Sequence, residues 1–224
     1  MSGRRARVRI ARGALLLVLA CALFARAIDL RQMRATIDAL QSAEATTRYV
    51  SWRALVDELQ RVPSELARLQ RVNEFFNRTI HYSDDMTVWH QEDYWATPIE
   101  MLGVGAGDCE DYAIGKYFTL LELGVPVKKL RMTYVLATVG GRYSHTTVAH
   151  MVLVYYGTPD ADPLVLDSLI SDIHPASARP DLKPVYSFNA SGVWLGAAAT
   201  PTPVDRLSRW QDVLIKMRKE GYEF

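Results

Sequence analysis

Cys109 stands between acids in the run Gly105-Ala-Gly-Asp-Cys-Glu-Asp-Tyr112, and the residues that follow turn at once to helical spacing. Ala113, Tyr117, Leu120 and Leu121 recur every three or four positions until Gly124 and Pro126 stop the pattern. Asp108 is of the type that caps helices, so a helix is predicted to begin beside Cys109. A thiol at a helix start meets free amides and the positive end of the dipole, which favour thiolate and hence nucleophilic chemistry. The chemistry also needs a base within hydrogen-bond reach and a carboxylate to fix the tautomer of that base. His150, midway along the alternating run from His145 to Tyr156, and Asp167, closing the short apolar run Leu164-Val-Leu166, supply both in that order. His145 near a hairpin end and His174 before Pro175 are less well placed, and Asp160, Asp162 and Asp172 fall in turns. Each residue also has a plain reading. Cys109 can be a buried structural cysteine, and a histidine between Val148, Val152 and Val154 can be a satisfied core residue.

Asp108, Glu110 and Asp111 crowd the same thiol, and like charge disfavours its ionisation. Two devices can offset them. A helix N-terminus accommodates acids, and a hard divalent cation is held by clustered carboxylates. The spacing matches no EF-hand loop, and His81 and His90 in the aromatic stretch from Ile80 to Trp95 match no zinc pattern.

These residues must be positioned by a chain of 224 residues that is 49% apolar and 23% charged, enough for one well-cored domain. Its first 27 residues carry six arginines, an apolar run from Ala14 to Phe24 and an Ala-Arg-Ala sequence ending at Ala27, the pattern of a secretory signal peptide cleaved there. An uncleaved anchor and a lipoprotein signal at Cys21 are the alternatives. Removing six arginines from a chain of net charge +1 leaves about −5, which gives no support for a nucleic-acid surface. Cys21 departs with the signal, so Cys109 is left without a disulfide partner in an exported protein, a liability unless it is used.

Residues 28–50 are polar with Leu, Met and Ile at helical intervals, and Trp52, Leu55, Val56 and Leu59 extend the pattern. Pro63 restarts a helix whose apolar face is Leu66, Leu69, Val72, Phe75 and Phe76. Residues 80–95 read as an ordered loop. Beyond Gly124 the period changes to two. Strands are predicted over Leu130–Thr138, with Gly140-Gly141 as a turn, over His145–Tyr156 and Leu164–Asp167, and as a pair near Val185–Phe188 and Val193–Leu195. Thr202-Pro-Val-Asp205 opens a final helix with Leu207, Trp210, Leu214 and Met217 inward. There is no internal repeat, and 28–224 is expected to be a single domain of α+β class.

The GDCEDY hexapeptide and its helix, Trp95-Ala-Thr-Pro-Ile-Glu100 before it, and Ala149-His-Met-Val-Leu153 and Leu166-Asp167 after it resemble the bacterial transglutaminase-like cysteine peptidases, from about Trp52 to the end. The resemblance implies a papain-like, transglutaminase-like core, with the catalytic helix packed on an antiparallel sheet and a helical N-terminal region. It implies a Cys109–His150–Asp167 triad, calcium held by Asp108, Glu110 and Asp111, and a periplasmic location. It also implies cleavage of a large surface adhesin at an Ala-Ala site near its N-terminus, releasing cells from a biofilm. Control would lie with the periplasmic domain of a LapD-like inner-membrane cyclic-di-GMP receptor, for which the rings of Trp89 and Tyr94 in the 82–95 loop are the candidate contact. The alternatives are acyl transfer to an amine through the same thioester, and a non-catalytic calcium-binding module.

Overall fold

A computed structural model describes residues 28–141, 143–195, 203–204 and 207–223. The signal sequence lies outside the described residues, as do Thr202 and Asp205 of the expected final helix start.

Asp29 accepts the amides of Arg31 and Gln32 and thereby caps α1, Leu30–Ala39. The continuous helix expected over 28–50 is broken. Gln41 adopts a φ of 51°, and the Ser42 hydroxyl accepts the Ala45 amide at 3.1 Å to start α2, Ala43–Leu59. The break needs neither glycine nor proline because the serine satisfies an amide that a helix start orphans. After Pro63, Ser64 caps α3, Glu65–Thr79, which buries Leu69, Val72 and Phe76 but leaves Leu66 48% exposed, contrary to expectation.

Residues 80–95 are more regular than a loop. They hold β1, His81–Tyr82, and one helical turn, α4, Asp85–Trp89, whose cap is Asp84. A Thr97–Glu100 capping box starts α5, Pro98–Val104, and β2, Ala106–Gly107, then pairs in parallel with β1. This small sheet delivers the chain to α6, Cys109–Glu122, which is buried from Asp111 to Leu120 and packed by α3, α5 and the main sheet. Close packing is possible because position 115 is glycine: a Cβ there would lie 2.5 Å from Met101 Cε and 2.8 Å from Phe76 Cε1.

The main sheet contains β3 (Leu130–Val139), β4 (Thr146–Tyr155), β5 (Leu164–Leu166), β6 (His174–Pro175), β7 (Leu182–Asn189) and β8 (Gly192–Leu195). Every pairing is antiparallel, in the order β6-β5-β4-β3-β7-β8. One face, with Met132, Met151 and Leu153, joins the core under α6; the other buries a smaller set, Val135, Val152, Val154 and Val165. The last helix, α7, Ser208–Lys219, buries Trp210, Val213 and Met217, and Trp210 stacks on Phe118 at 5.5 Å. Among the described residues no helix is long and apolar enough to cross a membrane.

Candidate active site

Cys109 is the first residue of α6, and the start of that helix meets β4 where β5 ends. Along β4, β5 covers only Leu153 to Tyr155, and just beyond it the Met151 amide donates to Cys109 Sγ. Cys109, Ala149, His150 and Met151 line one open cleft of about 670 Å³ together with Tyr134 and Tyr186.

His150 is buried, and its Nε2 lies 2.8 Å from Asp167 Oδ1. Against an ionised carboxylate Nε2 carries the proton, so Nδ1 is left as the basic nitrogen. Asp167 follows the last residue of β5. Its Oδ1 also accepts the Leu169 amide at 3.0 Å, and its Oδ2 accepts from Arg179 Nη2 at 2.8 Å. Arg179 is itself buried and holds Asp181 through Nε at 3.0 Å and Nη2 at 2.7 Å. The backbone carbonyl of Asp167 accepts from Asn77 Nδ2 at 2.8 Å and Lys116 Nζ at 3.0 Å. Burial pushes the carboxyl pKa up, but the bonds from His150, Leu169 and Arg179 outweigh it and hold it at about 2. The Lys116 ammonium, wholly buried on α6 with only the charge of Asp167 to support it, is pushed down to about 7.

On the other side of the thiol is a second set of carboxylates. Asp85, Asp108 and Asp111 each offer an oxygen within 4.8 Å of the others. Asp111 Oδ1 accepts the Ala96 amide at 2.6 Å and Asp85 Oδ2 the Tyr94 amide at 2.5 Å. Asp111 Oδ2, Asp85 Oδ1 and Asp108 Oδ1 are buried without a hydrogen-bond partner. Gly107 permits the approach, since a Cβ there would stand 2.5 Å from Asp111 Oδ2. Burial, then the charges of Glu110 and Asp111, raise Asp108 to about 9; burial raises Asp85 to about 6 and Asp111 well above the carboxylate range. Buried, donor-free carboxylate oxygens facing one another suit a hard divalent cation, so these residues fit calcium.

Glu110, expected beside Asp108 and Asp111, turns to the Cys109 thiol, which donates to its Oε2 at 2.9 Å, and with Asp108 and Cys109 it forms a second, overlapping group of possible ligands. Asp85 joins the cluster from α4. Its sequence signal was the Asp84-Asp85 pair in the acid-rich stretch, where either acid served equally well on paper; the structure uses Asp84 as the α4 cap and frees Asp85. Lys116 was visible as a lone charge within an apolar helical pattern. Arg179, in an irregular segment, gave no signal.

Two expectations are corrected here. The helix start does not by itself activate the thiol. Burial, followed by the charge and hydrogen bond of Glu110, drives the Cys109 pKa far up, and the helix dipole, worth about 0.3–1 kcal/mol, does not compensate. Asp108 occupies the N-cap position but its side chain makes no capping bond. Trp89 and Tyr94, the rings offered as a partner contact, are partly buried. They stack on each other at 4.7 Å, Tyr94 Oη donates to Glu100 at 2.7 Å, and Lys216 Nζ sits 3.8 Å over the Tyr94 ring. The exposed large hydrophobic residues of that stretch are Tyr82 and Met86.

Residues 45–185 match the family described as bacterial transglutaminase-like cysteine proteinase, BTLCP. Three solved structures of Legionella pneumophila LapG are similar. The EGTA-treated form is 41% identical with a TM-score of 0.72, covering 83% of this chain and 97% of its own. The form named simply LapG is 41% identical at 0.70, with the same coverage, and the calcium-bound form is 42% identical at 0.69, covering 83% and 98%. No curated protein sequence matches the chain.

Proposed function

This chain belongs to the bacterial transglutaminase-like cysteine proteinases, and from that premise we propose that it is a periplasmic endopeptidase that cuts the N-terminal region of a large surface adhesin at an Ala-Ala site. The activity requires calcium, releases cells from a biofilm, and is restrained by the periplasmic domain of a LapD-like receptor. The observation that carries the catalytic part is the sharing of one cleft by Cys109 and His150, with Asp167 fixed on the far nitrogen of the imidazole.

In this reading Cys109 Sγ attacks the scissile carbonyl while its proton passes to His150 Nδ1. The tetrahedral intermediate collapses, the C–N bond breaks, and the same proton goes to the departing amine. Water then attacks the thioester, giving one proton to His150. The C–S bond breaks, the acid product leaves, and that proton returns to the thiolate. Asp167 holds Nε2 protonated throughout and offsets the charge of the imidazolium, and Arg179 and the Leu169 amide hold Asp167. Asp85, Asp108 and Asp111 would hold calcium, whose positive charge beside Cys109 favours the thiolate that these acids and Glu110 otherwise oppose. That a solved structure of Legionella pneumophila LapG is calcium-bound supports calcium as the cation.

The test is cleavage of an adhesin N-terminal fragment containing an Ala-Ala site. Calcium should support it, EGTA should stop it and restored calcium rescue it, and magnesium should substitute poorly because it demands tighter octahedral geometry. Full activity in EGTA removes calcium from the mechanism, and an intact fragment under all conditions removes the adhesin.

A further inference from the structure

β4 is paired along its whole length on one side only. β3 matches it from Val139↔Thr146 to Leu130↔Tyr155, whereas on the other edge β5 covers only Leu153 to Tyr155. Among the described residues no strand pairs with that edge from Thr146 to Val152. The alternation of an antiparallel ladder decides which groups point outward. The Met151 amide reaches Cys109 and so faces the open edge, while the Tyr156 amide bonds Lys129 on the β3 side. Ala149 and Thr147, two and four residues before Met151, therefore present their N–H and C=O groups to the same open edge as Met151.

Among the described residues this edge has none of the usual protection. Thr146, Thr147, Val148 and Ala149 are all exposed, and none is charged or proline. Native sheets normally guard such a template for strand pairing, so an unguarded one at a reactive centre is a docking feature. It runs directly into the cleft, which Ala149 lines beside Cys109 and His150. At about 3.4 Å per residue, Ala149 and Thr147 lie roughly 7 and 14 Å from the Met151 amide. That spacing suits main-chain bonds to the second and fourth residues from a scissile bond held at the thiol.

We propose that the free edge of β4 receives the substrate polypeptide as an added strand, bonded at Ala149 and Thr147. The inference rests on the peptidase reading of Cys109 and deepens it. The occupant is an extended stretch of substrate with free amides and no proline. Affinity comes from main-chain bonds, and the short side chains of Thr147 and Ala149 leave space for the side chains of the incoming strand.

The test uses the Cys109→Ala chain with calcium and a dodecapeptide carrying a central Ala-Ala between Thr, Val and Ser residues. Amide exchange at Thr147 and Ala149 should slow about tenfold on binding, and the same peptide N-methylated at alternate residues should lose the protection. Thr147→Pro, which removes one outward N–H at an edge position where proline is tolerated, should weaken peptide binding about tenfold; if that variant fails to fold, the N-methyl comparison decides. Unchanged exchange at both amides in excess peptide overturns the proposal. So does equal protection by the methylated peptide. The unmodified chain separates the two readings: cleavage of the peptide with an unprotected edge keeps the peptidase and removes the added strand, whereas edge protection without cleavage does the reverse.

Discussion

Two sets of buried carboxylates flank one thiol and behave oppositely. Asp167 is wholly buried, yet its pKa is held at about 2; Asp108 is less buried, yet its pKa stands at about 9. Depth therefore does not set the direction. Asp167 has an imidazole, an amide and a guanidinium on its two oxygens, whereas Asp85, Asp108 and Asp111 each keep a buried oxygen without a donor. A carboxylate completed by its own fold is ready to orient a base. A cluster left incomplete is ready to take a cation, and until it does its charge opposes the ionisation of the nucleophile.

The contrast is broken most severely at Asp167. Asp167→Asn should lower kcat/KM roughly 10³- to 10⁴-fold because the imidazole loses the group that fixes its tautomer, and it should also lower Tm because Arg179 loses a buried charge partner. Activity within tenfold of the parent removes Asp167 from the relay. Arg179→Met comes next. It strips Oδ2 of its partner and makes Asp167 resemble the acids across the cleft, with an expected loss of roughly ten- to a hundredfold in kcat/KM. Arg179→Lys should recover part of that loss.

The acid cluster should respond with the opposite sign. Asp108→Asn or Asp85→Asn should weaken calcium binding roughly ten- to a hundredfold, measured calorimetrically. In EGTA, at pH above the raised pKa of each acid, about 9 for Asp108 and about 6 for Asp85, the same variants should raise Tm, because each then removes a charge that its neighbours repel. A lowered Tm in EGTA would show that these oxygens are already satisfied within the fold. The smallest effect is expected at Glu220, a buried acid whose Oε1 accepts from Thr97 Oγ1 at 2.8 Å while Oε2 has no partner. Burial raises its pKa to about 7. The folded chain thus holds this proton more tightly than the unfolded one, so stability is full below the ordinary carboxylate range and falls as pH rises through about 7. Glu220→Gln should abolish that fall, worth on the order of 2 kcal/mol at pH 8, in denaturant titrations at pH 5 and 8.

The sequence by itself determined the local grammar of this protein. Asp108 before Cys109 and the stop at Gly124 and Pro126 delimit α6, and period-two runs delimit β3 and β4. The order of one cysteine, a mid-strand histidine and a strand-end aspartate named the residues that share the cleft or support it. These readings succeed because caps, periodicity and turns depend on neighbours a few residues apart. Only the tertiary structure decided which carboxylates are paired. Arg179 reaches Asp167 from a segment without periodic pattern, Asp85 reaches Asp108 and Asp111 from α4, and Glu110 leaves that set for the thiol although it sits between them in sequence. The same packing turned Trp89 and Tyr94 onto each other and drove the Cys109 pKa up where its helix position alone predicted the reverse. Charge state follows from burial and from the donors that converge on an oxygen or a sulfur, and that convergence comes from elements far apart along the chain.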